Sequence, residues 1–162
     1  MQIYEMQPLN LPPFAIKVKE NDGVKLIFDP QRQKFVTLTP EEWVRQHFVN
    51  YLITVKQYPK DLIANEVSIQ LHNTAKRCDT VVYDHFLKPL MIVEYKAPTV
   101  TITAEVFKQI ARYNSALRVQ FLAISNGLEH YCCKMDYDKM NYSFLEEIPE
   151  YALLLGDNQE KR

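Results

Sequence analysis

The sequence predicts an α/β (α+β) fold, with a mixed central sheet flanked by helices and an N-terminal β-ribbon. Three observations carry this expectation. Short runs rich in β-branched and aromatic residues, at 78–83, 90–95 and 119–125, read as strands. Two stretches of helical spacing with clear start signals, 39–53 and 103–117, stand among them. Near the start, Asn21-Asp22-Gly23 separates two alternating runs, 14–20 and 24–28, which is a hairpin signal.

Taken in order, residues 35–38 extend that hairpin as a third strand. The helix over 39–53 has Thr39 as its N-cap, Pro40 at the first helical position, and Glu41 and Glu42 in the first turn. Its expected buried side is Trp43, Val44, His47, Phe48, Tyr51 and Leu52. After Tyr58-Pro59, residues 66–71 form the first strand of the core, followed by 78–83 and 90–95. Asp84-His85 and Lys88-Pro89 interrupt the last two runs, so an antiparallel pair with a short loop is the economical reading. The helix over 103–117 is capped by Thr103, and Val106, Ile110 and Leu117 are spaced to face the sheet. The strand 119–125 then turns at Asn126-Gly127 into 128–133, an antiparallel partner. The expected organisation is a single domain over 1–162: ribbon 1–38, core 39–133 and an acidic tail 134–162 that packs through Tyr142, Phe144 and Tyr151 before fraying after Gly156.

Composition narrows the class. A hydrophobic content of 47% with only 3 Gly argues for a packed core rather than disorder. No run approaches the roughly 20 apolar residues of a membrane span. The first residues lack a basic-then-apolar leader pattern. Cys78, Cys132 and Cys133 follow no disulfide or zinc spacing, so reduced thiols and a cytoplasmic location are expected. His47 reads as a core residue, and His72, His85 and His130 share no metal-binding spacing.

The chemistry concentrates in Asp79 and Leu90-Met-Ile-Val-Glu94-Tyr-Lys96. If the hairpin is symmetric about the Phe86/Leu87 bond, Asp79 faces Glu94 across it. Directly opposed side chains have Cβ atoms roughly 4.5–5.5 Å apart, close enough for two carboxylates to share one ion. Alternation puts Glu94 and Lys96 on one face. Two carboxylates and an ammonium on one patch suit a Mg²⁺ site for phosphodiester hydrolysis. The competing reading is an ordinary Glu-x-Lys on a solvent-facing strand. Against it, Val81, Val82, Ile92 and Val93 mark a buried sheet, where charges need partners or a function. On the following helix, Gln109 and Tyr113 are four apart and share a face, as do Lys108 and Arg112.

The combination Asp79…Glu94-Tyr-Lys96…Gln109-Ile-Ala-Arg-Tyr113 resembles the PD-(D/E)xK nuclease superfamily in its type I restriction form, the N-terminal nuclease domain of R subunits. The resemblance covers roughly residues 25–131, and residues 27–48 are similar to small stand-alone members. Cys78 stands where the family name has proline, and these 162 residues contain no Walker A sequence. The resemblance implies a restriction-endonuclease-like core and a DNA endonuclease dependent on Mg²⁺, with Mn²⁺ as the alternative ion. It implies Asp79, Glu94 and the Tyr95 carbonyl as metal ligands, and Lys96, Gln109 and Tyr113 as further catalytic groups. A glutamate of the first helix often joins the metal cluster in this family. For Glu42 that role stands beside a capping box with Thr39, and Glu66 is the other candidate.

Lys76, Arg77, Lys108 and Arg112 are the expected phosphate contacts. The net charge is −1, but residues 76–118 hold seven Lys/Arg against four Asp/Glu, while 129–162 hold four against eight. Such a modest field suits DNA delivered by restriction-modification subunits or by a motor protein in trans. Two other classes remain open: a non-catalytic nucleic-acid- or protein-binding module that retains the fold, and a structural domain whose Asp/Glu/Lys trio is a buried ion network.

Overall fold

The computed structural model describes residues 6–156. A three-stranded antiparallel sheet comes first: β1 (Val18–Asn21), β2 (Val24–Asp29) and β3 (Lys34–Thr37). Asp22 and Gly23 both have positive φ, 51° and 79°, the geometry of a two-residue turn matching the strand twist. Helix α1 (Pro40–Thr54) follows, with the Thr39 hydroxyl accepting from the Glu42 N–H at 3.0 Å. A single 3₁₀ turn, Lys60–Leu62, leads into the main sheet.

That sheet has six strands in sequence order: β4 (Ile63–Leu71), β5 (Thr74–Tyr83), β6 (Pro89–Tyr95), β7 (Phe121–Ser125), β8 (His130–Asp136) and β9 (Asn141–Phe144). Every neighbouring pair is antiparallel except β6–β7, whose connection contains helix α2 (Ala104–Ser115). This is the mixed central sheet flanked by helices that the sequence predicts. Thr80 pairs with Val93, Val81 with Ile92 and Val82 with Met91, the register expected for a hairpin centred on Phe86/Leu87. A one-residue shift then pairs Tyr83 with Pro89.

Strands β6 and β7 are buried on both faces, which is why they read as unbroken apolar runs. On one face α1 packs Val44, Phe48 and Leu52 against Val82, Met91, Val93 and Tyr95. On the other, α2 packs Phe107 and Ala111 against Val81, Ile92, Leu122 and Ile124. All three cysteines are buried and unpaired. No helix among the described residues is long and apolar enough to cross a membrane.

Three expectations are corrected. The stretch read as a tail supplies β9, the sixth strand, and a short helix α3 (Tyr151–Leu155) whose Leu154 is buried in the α1-side core. The expected fraying after Gly156 concerns residues outside those described. Helix α2 is rotated from the expected stripe: Phe107, Ala111 and Asn114 are buried, while Val106 and Ile110 are only half-buried. The cause is β9, because the Phe107 ring lies 5.2 Å from Tyr142 and 4.7 Å from Phe144. Finally, α1 buries Glu42, Arg45 and Gln46 as well as its apolar stripe, while Trp43 and Tyr51 remain half-exposed.

The segment before β1 is fastened to the turn between β7 and β8. The Asn10 N–H donates to the Gly127 carbonyl at 2.8 Å, and the Asn10 carbonyl lies 3.1 Å from His130 Nε2. Gly127 has φ +87°, and a Cβ there would stand 2.6 Å from Leu9 Cδ2. The positive φ of the turn is what favours glycine here, since the end of the Leu9 side chain could shift.

Candidate functional site

The β5–β6 ladder ends at Thr80–Val93, and Asp79 and Glu94 are the next residues outward. There the Asp79 side chain takes over: Oδ2 accepts from the Tyr95 N–H at 3.0 Å. The alternation of β5 slips across the same point, since Cys78 and Val81, three apart, belong to one core cluster. On neighbouring β4, Glu66 adopts φ +50°, a left-handed conformation uncommon for such a residue inside a strand. The irregularity opens a cleft of about 370 Å³. Asp79, Glu94, Tyr95 and Lys96 line it together with Glu66 of β4 and Glu41, Glu42 and Arg45 of α1.

Burial pushes the Glu94 carboxyl up to about 9, and the adjacent Asp79 charge and hydrogen bond push the same way. An Asn114 hydrogen bond and the Lys96 charge oppose the rise without cancelling it. Two carboxylates this close repel, and either a shared proton or a cation relieves them. Lys96 forms no ion pair within 4.0 Å among the described residues, so its ammonium is not locked onto either carboxylate.

Glu42 lines the same cleft as Asp79 and Glu94. Thr39 Oγ1 caps its N–H, the first half of a capping box, yet the carboxylate does not reach back. It accepts from Arg45 Nε at 2.8 Å, Arg45 Nη2, Gln46 Nε2 at 3.0 Å and Arg32 Nη2 at 3.5 Å. Arg45 Nη2 also reaches Asp29 Oδ2 at 3.0 Å, and Arg32 Nη1 reaches Glu66 Oε2 at 3.1 Å. Although burial alone would raise the Asp29 carboxyl, Arg32 and Arg45 hold it below its ordinary value. Burial likewise opposes the charge of Arg45, but Glu42 and Asp29 outweigh it. The two candidates for an extra acidic ligand, Glu42 and Glu66, are thus both paired with guanidinium groups.

Of the remaining predicted residues, Lys76 Nζ sits 4.4 Å from the centre of the half-exposed Tyr113 ring. Arg77 reaches Glu66 Oε2 at 3.6 Å and is largely exposed. Lys108, Gln109 and Arg112 are exposed on α2. Neither Gln109 nor Tyr113 lines the cleft. The α2 residue that touches the carboxylates is Asn114, whose Nδ2 lies 3.5 Å from Glu94 Oε1. Sequence reasoning missed Asn114, Asp29, Arg32 and Arg45. The one local signal was a lone asparagine seven residues after Phe107, on the apolar stripe of α2.

A pair of opposed carboxylates suits a small hard cation, since Mg²⁺ takes one or two protein carboxylates and keeps several waters. Among the described residues no group of three or more His, Cys, Asp or Glu side chains surrounds a single metal position. Two carboxylates fit a Mg²⁺ ion that keeps several waters, and not a closed protein cage.

The sheet order, the single parallel pair and the acids beyond the β5–β6 ladder place the molecule in the restriction-endonuclease-like α/β class. A fragment assigned as an HsdR subunit of a type I restriction enzyme from Vibrio vulnificus YJ016 superposes with a TM-score of 0.50 at 18% identity, over 75% of this chain and 26% of that one. A DrdV–DNA complex solved by cryo-electron microscopy aligns at a TM-score of 0.42 and 14% identity, over 76% of this chain and 12% of that one. The chain thus spans about a quarter of the first neighbour's length and an eighth of the second's. No curated protein matches by sequence. The family model for the type I restriction enzyme R protein N terminus matches residues 40–149, and the chain belongs to that family.

Proposed function

We propose that this domain hydrolyses phosphodiester bonds in DNA with Mg²⁺, or Mn²⁺ in its place, as an endonuclease. The observation that carries the reading is the Asp79–Glu94 pair beside Lys96 in one cleft. Asp79, Glu94 and the main-chain carbonyl of Tyr95 would hold the cation, with Glu42 or Glu66 as the additional acid. When bound, the ion supplies a water of lowered pKa and offsets negative charge on the phosphate. Lys96 projects from the same strand end, orients the attacking water and stabilises the pentavalent transition state. Gln109 and Tyr113, on the following helix, orient Lys96 or the phosphate. Lys76, Arg77, Lys108 and Arg112 contact backbone phosphates on either side. A chain of net charge −1 relies on other restriction-modification subunits or a motor protein in trans to present the DNA, in the cytoplasm.

Plasmid nicking with Mg²⁺ or Mn²⁺ tests the proposal, alongside Mn²⁺ titration calorimetry. The wild-type chain nicks and gives a binding isotherm. Asp79→Ala abolishes both, while Lys96→Ala abolishes nicking and leaves the isotherm and the melting temperature nearly unchanged. An isotherm unaltered by Asp79→Ala removes the metal assignment. The arginine pairing of Glu42 and Glu66 favours a second reading, a DNA-binding module that does not cut. Metal-independent DNA binding with no nicking under either ion selects it.

A further inference from the structure

We infer that Asn114 is the positioning residue for Glu94, holding one carboxylate oxygen so that the other faces the cation; this rests on the metal-dependent reading above. Asn114 is 4% exposed and shares the buried face of α2 with Phe107 and Ala111. An apolar side chain would be the ordinary occupant of that position. Its Nδ2 donates to the Ile110 carbonyl at 2.9 Å and lies 3.5 Å from Glu94 Oε1. The Ile110 carbonyl can only accept, so the amide nitrogen and not the oxygen faces it and Glu94. Turning the amide would set its oxygen against the Ile110 carbonyl. Asn114 Oδ1 is buried and has no hydrogen-bond partner. A buried acceptor left unpaired costs stability, and such groups persist where function needs them. Here the need is a donor fixed on Glu94, a buried acid that lines the cleft. A 3.5 Å contact is long for a hydrogen bond, and such contacts tighten when the site is loaded.

The test uses the full chain with MnCl₂ in titration calorimetry and thermal melts without metal. Asn114→Leu keeps the side-chain shape and removes both the donor and the orphaned oxygen. We expect it to melt no lower than wild type and to bind Mn²⁺ about 10–100-fold more weakly, the usual loss when a group orienting a metal ligand is removed. Unchanged affinity in Asn114→Leu, with wild-type binding still dependent on Asp79, overturns the inference and leaves the metal site standing. Weaker binding only alongside a melting temperature many degrees lower, in Asn114→Leu and Asn114→Ala alike, also overturns it. Absence of wild-type Mn²⁺ binding overturns the inference and the metal site together.

Discussion

At Glu94, burial and the neighbouring Asp79 charge hold a proton up to about pH 9, against an ordinary value of 4.5. Between those values the folded state binds more protons than the unfolded chain, so this group's contribution to stability is full below about 4.5 and is lost as pH rises through about 9. Melting temperatures of the metal-free protein, taken as wild type minus Glu94→Gln, therefore fall with rising pH across that window. A difference that climbs instead refutes the protonated state. At Arg45 the expectation is larger. Removing its guanidinium leaves Glu42 and Asp29 buried with less compensation, so Arg45→Met costs about 3–5 kcal/mol in denaturant unfolding. A loss below about 1 kcal/mol means that Arg32 alone carries the pair.

Among the elements, α2 gives the sharpest test, because its sequence and its packing disagree. Phe107→Ala costs about 3–5 kcal/mol, while Val106→Ala, on a half-buried flank, costs less than about 1.5 kcal/mol by chemical denaturation. The reverse order would restore the stripe centred on Val106. Capping and hairpin register were legible in the sequence because they are local: Thr39 and Thr103 cap their own first turns, and the β5–β6 pairing follows from a short loop. The rotation of α2 was not, since it depends on Tyr142 and Phe144 from a strand more than thirty residues downstream. The arginine network was hidden for the same reason. Asp29 and Arg32, Glu42, and Glu66 come from three separate stretches of chain, and no single periodicity records their meeting. Of the site, Asp79, Glu94 and Lys96 were legible because one hairpin carries all three.

On the scale of the whole molecule, the charge is nearly balanced at −1, so long-range attraction of DNA is weak. Fluorescence anisotropy with a short duplex, at roughly physiological salt, should give a Kd no tighter than about 10⁻⁶ M, as for non-specific binding, and a steep loss of affinity as salt rises. Nanomolar binding by the isolated chain would remove the case for delivery in trans.

The fastening of Leu9 and Asn10 to the Gly127 turn joins positions 118 residues apart in the Asn10–Leu128 contact. On a ribosome, the first of these emerges long before its partner exists. The N-terminal segment must therefore wait, its apolar Leu9 uncovered, until most of the main sheet has been synthesised. Contacts of such wide separation also slow folding, because the chain entropy is lost before the contact rewards it. Nascent chains arrested before Gly127 should stay open to protease at residues 6–17, and chains extended past His130 should become resistant there. Capture of the segment around Leu9 and Asn10 is thus a late step in making this fold.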